Sequence, residues 1–131
     1  YEIMPSLVGS EMCIRDSDCL MDLAHFDELL DGADACISGE GRADAQSLDG
    51  KVLSGVARRC TVHDVPLIAI VGSLGEGAEE LLNQGVASLV ACVDAATPLS
   101  EALAHAEENY ISAAARVFGE IAAEQREEAT R

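Results

Sequence analysis

Short apolar runs alternate with segments of helical period along most of this chain. Residues 66–71 and 88–93 are almost continuously apolar and are bounded by Pro66, Gly72 and Asp94. Runs of this kind are typical of strands buried on both faces of a parallel sheet. The shorter runs at residues 19–23 and 33–38 predict two further strands.

The segments between these runs place apolar residues at helical spacing. Gly32 and Gly85 follow two of the segments, at the position where glycine most often ends a helix. The predicted helices cover residues 26–30, 51–60, 76–84 and 99–124, with a break near His105 and fraying over residues 125–131. Strands and helices in alternation, joined by short connections, predict an α/β fold with an open, mostly parallel sheet and helices on both faces.

Residues 1–17 differ from the rest, because they show neither a sustained helical period nor a strand period. They also lack the cationic start and long apolar core of a signal peptide. Residues 6–17 resemble a peptide that arises when sequencing-adaptor DNA is translated. We therefore expect residues 1–17 to be non-native or disordered and residues 18–131 to carry the fold.

The composition and charge of the chain argue against several classes of binding partner. The 131 residues suit one domain, and their net charge of −16 argues against binding to nucleic acid or to an anionic membrane surface. No apolar run approaches the roughly 18 residues of a membrane-spanning helix. The five cysteines form no CxxC pair and lie mostly in apolar contexts, which predicts reduced, buried thiols in a cytoplasmic protein.

A dense polar segment at residues 39–50 lies between a predicted strand and a predicted helix, where α/β proteins commonly bind ligands. Arg42 and Lys51 bring positive charge to it, and glycines there let backbone N–H groups approach an anion. The spacing fits neither a P-loop nor a dinucleotide fingerprint. The residues alone leave two interpretations open, a functional anion site and a capped surface loop held by ion pairs. The candidates are Gly39, Glu40, Gly41, Arg42, Asp44, Gln46, Ser47, Gly50 and Lys51.

A second polar loop, residues 72–77, competes for the same role. It contains no cation, and the helix predicted after it carries Glu76, Glu79 and Glu80 in its first turns, so it would repel a phosphate. We expect residues 72–75 to be a tight turn with glycine where φ is positive or where a backbone passes close.

Residues 39–51 read G-E-G-R-x-D-x-Q-S-x-x-G-K, preceded at residues 26–34 by F-D-E-L-L-D-G-A-D. This run resembles the carboxyl-terminal part of the type I bacterial glycerate kinases, whose pattern is close to F-D-x-x-L-x-x-A-D-L-V-I-T-G-E-G-R-x-D-x-Q-S/T-x-x-G-K. Residues 55–59, 66–74 and 98–109 fit that family too, so the resemblance covers residues 22–123. Ser38 stands where threonine is usual, and Asp49 where histidine is common.

The resemblance implies ATP-dependent phosphorylation of D-glycerate, most often to 2-phosphoglycerate, in a cleft between a Rossmann-like domain and a second α/β domain. The family's amino-terminal D-S-F-K-G-S-L-S and central G-G-S-A-T-N-D-G-G signatures are absent here. Residues 18–131 would then be the carboxyl-terminal part of the Rossmann-like domain. Without the amino-terminal two-thirds of the enzyme, the fragment would be inactive. The rival hypothesis is a non-catalytic, flavodoxin-like module that binds a phosphorylated ligand or a protein partner.

The resemblance also assigns roles within the motif. Arg42 and Lys51 would bind the glycerate carboxylate or the transferring phosphate. Asp44 or Glu40 would orient the attacking hydroxyl or hold Mg²⁺. The residues expected to contact substrate or phosphate are Gly39, Gly41, Gln46, Ser47, Gly50 and Ser73.

Overall fold

The computed structural model describes residues 10–48 and 52–131. These residues form five α-helices, three strands and two short 3₁₀ helices. The helices are α1 (Ser10–Leu23), α2 (Phe26–Leu30), α3 (Val52–Val62), α4 (Leu99–Ala104) and α5 (Ala106–Ala129), the strands are β1 (Cys36–Ala43), β2 (Leu67–Leu74) and β3 (Val86–Ala91), and the 3₁₀ helices are Ala45–Leu48 and Ala78–Gln84.

The three strands form one open parallel sheet in the order β1-β2-β3. Helix α3 and the Ala78–Gln84 helix contribute to the same core on one face, which is the arrangement that right-handed crossovers produce. Helix α5 follows β3 and packs on the opposite face, against Ile70 of β2. The α/β fold with an open parallel sheet, predicted from the sequence, is confirmed.

The larger core lies between the sheet and α3. Leu53, Ala57 and Cys60 of α3 are buried there with Leu67 and Val71 of β2. The smaller core on the other face joins Ile70 to Ala113 and Val117 of α5. Both cores include side chains of β2, which explains why the sequence of this strand is almost entirely apolar.

The strand predicted at residues 19–23 is wrong, because these residues form the last turns of α1. Ser17 and Met21 are buried while Leu20 and Leu23 are exposed. The buried pair is four residues apart, which is a helical spacing. Helix α1 approaches α3 at Gly55, where an added Cβ would lie 3.2 Å from the Met21 side chain.

The boundaries of the other elements also differ from the prediction. Strand β3 begins two residues earlier than predicted, and the predicted helix at residues 76–84 is a 3₁₀ helix that starts at Ala78. The break at His105 is confirmed, but α5 continues to Ala129 where fraying was expected. None of the described helices combines the length and the apolar character needed to cross a bilayer. Cys60 is buried as expected, whereas Cys19 is exposed.

Strand β1 runs five residues further than predicted and takes in Gly39 and Gly41. A Cβ on Gly39 would overlap the carbonyl oxygen of Ile70, and one on Gly72 would overlap that of Gly41. Glycine is needed at 39 and 72 because β1 and β2 approach each other closely there. The first half of the predicted polar loop is therefore strand, and the turn begins at Asp44.

Candidate functional site

The carboxyl ends of β1 and β2 bring the candidate residues to one edge of the sheet. In the register of these two parallel strands, Arg42 lies opposite Ser73 and Ala43 opposite Leu74. Open α/β sheets commonly bind ligands just outside this edge. The sheet itself therefore places Arg42 and Ser73 side by side, although they are far apart in sequence.

Asp44 begins the turn that follows β1. Its Oδ1 accepts a hydrogen bond of 2.9 Å from the backbone N–H of Gln46, and its own N–H donates to Ser47 Oγ at 3.3 Å. The backbone N–H of Ser47 donates back to the carbonyl of Asp44 at 2.9 Å. These bonds define the start of the Ala45–Leu48 helix and fix the direction of the Asp44 carboxylate.

The two loops treated as competitors in the sequence pack against each other. The N–H of Gly75 donates to the carbonyl of Ala43 at 2.7 Å, and the N–H of Ala45 donates to that of Glu76 at 3.0 Å. A Cβ on Gly75 would lie 2.9 Å from both Arg42 Nε and Asp44 Cβ. The second loop is thus the support on which the Arg42 side chain rests.

Gly75 was missed as a site residue because it bears no chemistry of its own. A signal did exist, since consecutive parallel strands usually lie side by side and their following loops then meet. The tight turn expected at residues 72–75 is wrong, because residues 72–74 are the end of β2. The alternative expectation, a backbone that passes close to a glycine, is confirmed at Gly72, where an added Cβ would overlap the carbonyl oxygen of Gly41.

The charged side chain of Arg42 is open to a ligand at this edge. Its side chain is 66% exposed, and Nε lies 3.8 Å from Asp44 Oδ2, which is too long for a hydrogen bond. No shorter ion pair of Arg42 occurs within residues 10–48 and 52–131. The guanidinium therefore keeps its paired donors for a carboxylate or phosphate.

Glu40 lies within β1 and is half-buried. Its Oε1 is buried and accepts no hydrogen bond from the described residues. A buried carboxylate oxygen in this condition is an unused acceptor, which is costly unless a ligand or a further part of the protein satisfies it.

The remaining predicted residues fall into different environments. Gln46 is exposed beside Asp44, while Ser47 is fully buried, so that its hydroxyl shapes the turn. Gly50 and Lys51 lie outside the described residues, as does Asp49.

A divalent cation would find few protein ligands here. Within the part of the chain that the structure describes, no three His, Cys, Asp or Glu side chains come together as a metal site. Magnesium, however, is often held by one or two carboxylates together with substrate phosphates and water. The Asp44 side chain is 28% exposed, and its Oδ2 is not engaged in a hydrogen bond among the described residues. That donor suits such a shared site.

Known proteins are similar to this chain over a region that includes the candidate site. The profile of the Glycerate kinase family matches residues 7–122. Glycerate kinase of Bacillus subtilis is 36% identical over 102 residues, which is 78% of this chain and 26% of that protein. Glycerate kinase of Haemophilus influenzae is 37% identical over 98 residues, or 75% of this chain and 26% of that protein. Glycerate 2-kinase of Escherichia coli is 33% identical over 86 residues, which is 66% of this chain and 23% of that protein.

The chain thus spans about a quarter of the length of the curated relatives it matches, somewhat less than the third expected from the sequence.

Proposed function

The chain belongs to the glycerate kinase family, and on that premise we propose that it forms one wall of a site that phosphorylates D-glycerate with ATP. The observation that carries the proposal is the single edge at which Arg42, Ser73 and Asp44 meet. Phosphoryl transfer depends mainly on positioning and on neutralising negative charge, and this edge offers a cation, a hydroxyl and a carboxylate together.

Arg42 binds the anionic part of the reactants. Its exposed guanidinium can donate two parallel hydrogen bonds to the glycerate carboxylate or to the transferring phosphoryl group. Lys51, which ends the same motif, shares this role in our proposal. The two motif cations would attract an anion locally, although the net charge of the chain is −16.

Asp44 orients the attacking hydroxyl of glycerate. The Gln46 N–H fixes Oδ1, so the other oxygen is held in a defined direction at the edge of the sheet. In this role Asp44 accepts the hydroxyl proton as the phosphoryl group is transferred. Asp44 is also the residue that would hold Mg²⁺, which when bound neutralises charge on the phosphates. Glu40 is less suited to both tasks, because its Oε1 is buried within the fold.

The product of the proposed reaction is 2-phosphoglycerate. Support comes from the Escherichia coli relative, which is named glycerate 2-kinase. We also propose that the isolated chain is inactive, since it spans about a quarter of its relatives and supplies one wall of the site.

A chimera tests this function. The matching segment of the Bacillus subtilis glycerate kinase is replaced by the corresponding residues of this chain, and phosphorylation of D-glycerate by ATP is measured, with the product identified by phosphorus NMR. We expect an active chimera that makes 2-phosphoglycerate, and no turnover by this chain alone. Arg42→Ala should lower kcat/KM by roughly a hundredfold or more, the usual loss when a charge contact to the transition state is removed.

Arg58→Ala is the matched control for charge removal. Arg58 is an exposed arginine on α3 that pairs with Asp18 and lies away from the edge, so its loss should leave kcat/KM unchanged. A folded chimera without glycerate phosphorylation would overturn the proposal. Binding of a phosphorylated ligand by such an inactive chimera would favour the non-catalytic module instead.

A further inference from the structure

A cavity of about 400 Å³ lies beside the candidate site, between the carboxyl-terminal half of the sheet and helices α4 and α5. Its floor includes Gly39, Gly72 and Ile70, and its outer wall includes Leu103 and Ala106. Two glycines in the floor leave the sheet surface flat, because no side chain rises from those positions. The break between α4 and α5 at His105 shapes the outer wall.

The polar groups of this cavity lie at its margin. Asn109 and Tyr110 border it from α5, and Ser73 borders it from β2. Asn109 offers both a donor and an acceptor, the pair needed to recognise the edge of a nucleobase. Ser73 is also the cross-strand neighbour of Arg42, so the cavity and the anion site share a residue.

The size and lining of the cavity argue against glycerate as its occupant. A three-carbon hydroxy acid needs polar partners on every side, whereas this lining is mostly glycine, alanine and aliphatic side chains. Cavities of about 300–1,000 Å³ with an apolar lining and a few polar groups typically bind small organic molecules and cofactors. A nucleoside matches that description.

We propose that this cavity binds the adenosine moiety of ATP, with the phosphates extending past Ser73 to Arg42. The inference rests on the proposed function, which supplies ATP as the phosphoryl donor. The base lies on the glycine floor against Leu103, and Asn109 reads its polar edge. Because adenosine is uncharged, the acidic surface of the chain does not oppose its binding.

The test uses the ¹⁵N-labelled chain of 131 residues and measures amide chemical shifts as adenosine is added. We expect saturable shifts at Ser73, Asn109 and Tyr110, and none at Asn109 or Tyr110 when inorganic phosphate replaces adenosine. Ala106→Phe should fill the cavity and weaken adenosine binding by about tenfold or more, a loss equal to about 1.4 kcal/mol. Ala115→Phe is the matched control, since Ala115 is exposed on the same helix and does not line the cavity.

Asn109→Ala provides a second variant in case Ala106→Phe disturbs α5, and it should also weaken binding. Absence of saturable shifts in the folded chain would overturn the inference, as would equal binding by the Ala106→Phe and Ala115→Phe variants. The two proposals fail separately. An active chimera combined with no adenosine binding to this cavity removes only the nucleoside site, whereas adenosine binding with an inactive chimera removes only the kinase function.

Discussion

Arg42 and Asp44 hold their side chains 3.8 Å apart, from Nε to Oδ2, where strand β1 ends. The separation is close enough for attraction and too long for a hydrogen bond, so neither group is consumed by the other. Gly75 lies against both side chains and, because it has no Cβ, leaves room for them. The backbone therefore positions the two charged groups, and each part of this arrangement can be tested separately.

Asp44 has a structural role and a chemical role that two substitutions separate. Asp44→Asn keeps an Oδ1 acceptor for the Gln46 N–H but removes the charge, whereas Asp44→Ala removes both. We expect Asp44→Ala to lower the free energy of unfolding by about 1 kcal/mol, the usual cost of removing a helix-capping side chain, and Asp44→Asn to change it by less than about 0.5 kcal/mol. Urea unfolding of this chain measures both values.

The same two variants in the chimera should both lose most of kcat/KM, because both lack the carboxylate. Equal destabilisation by Asn and Ala would show that the Gln46 hydrogen bond does not hold the turn. Near-parental turnover of the Asp44→Asn chimera would show that the charge is not required.

Gly75→Ala should impair the site at a moderate cost in stability. The new Cβ would lie 2.9 Å from both Arg42 Nε and Asp44 Cβ. The flexible Arg42 side chain can move away, whereas relief at Asp44 Cβ requires a shift of the turn itself. We expect the unfolding free energy to fall by about 1–3 kcal/mol and kcat/KM of the chimera to fall roughly tenfold.

Gly119→Ala is the control for adding a methyl group. Gly119 lies inside α5 and has no neighbour within 4 Å of the added Cβ. This substitution should raise the unfolding free energy by up to about 1 kcal/mol through helix propensity and leave kcat/KM unchanged. An unimpaired Gly75→Ala chimera would mean that Arg42 does not depend on this support.

The sequence was sufficient for the fold class because the decisive signals are local. The apolar run of β2 and the glycine after the Ala78–Gln84 helix can be recognised without tertiary information. The strand predicted at residues 19–23 failed for the opposite reason. A five-residue window contains both a strand pattern and a helical one, and only the packing of Met21 on α3 decides between them.

The candidate site was predictable in its charged members and not in its support. Arg42 and Asp44 stand out by composition, but their loop was expected to start at Gly39, because glycine usually signals a turn. In the fold, Gly39 and Gly72 instead permit close contact between two strands. Such a role depends on which strands are neighbours and on how closely their backbones approach, and a single sequence does not contain that information.

Arg59 should be the most important surface cation for stability. It joins α3 to α1 and α2, with hydrogen bonds of 2.6 Å to Asp22 and 3.0 Å to Asp27. The hydrogen bond that Arg59 donates to Asp22 raises the pKa of Arg59, so the guanidinium stays charged. Its side chain is 14% exposed, and we expect Arg59→Ala to cost about 2 kcal/mol of unfolding free energy because Asp18, Asp22 and Asp27 each lose an ion pair with it.

Arg58→Ala serves as the comparison. The side chain of Arg58 is 59% exposed and, among the described residues, pairs only with Asp18, so we expect a cost of about 0–1 kcal/mol that shrinks as salt is added. Urea unfolding of both variants at low and high salt provides the measurement. Equal costs for the two arginines would contradict the assignment of Arg59 as the link between the helices.

Cys60 should make the fold sensitive to alkaline pH. Burial, and then a hydrogen bond with the Cys36 thiol, raises the pKa of Cys60 from 9.0 to about 12. Between these two values the unfolded chain loses the proton while the native chain keeps it, so the unfolded state binds fewer protons. The free energy of unfolding is therefore unaffected below about pH 9 and falls above it by up to about 1.4 kcal/mol per pH unit.

Urea midpoints measured with reductant at several pH values from 8 to 11, roughly the span over which the thiol of the unfolded chain ionises, should show this decline. Cys60→Ala should reduce the fall of the urea midpoint with rising pH, whereas Cys19→Ala, at an exposed position, should leave it unchanged. A slope that survives Cys60→Ala would assign the alkaline sensitivity to other groups.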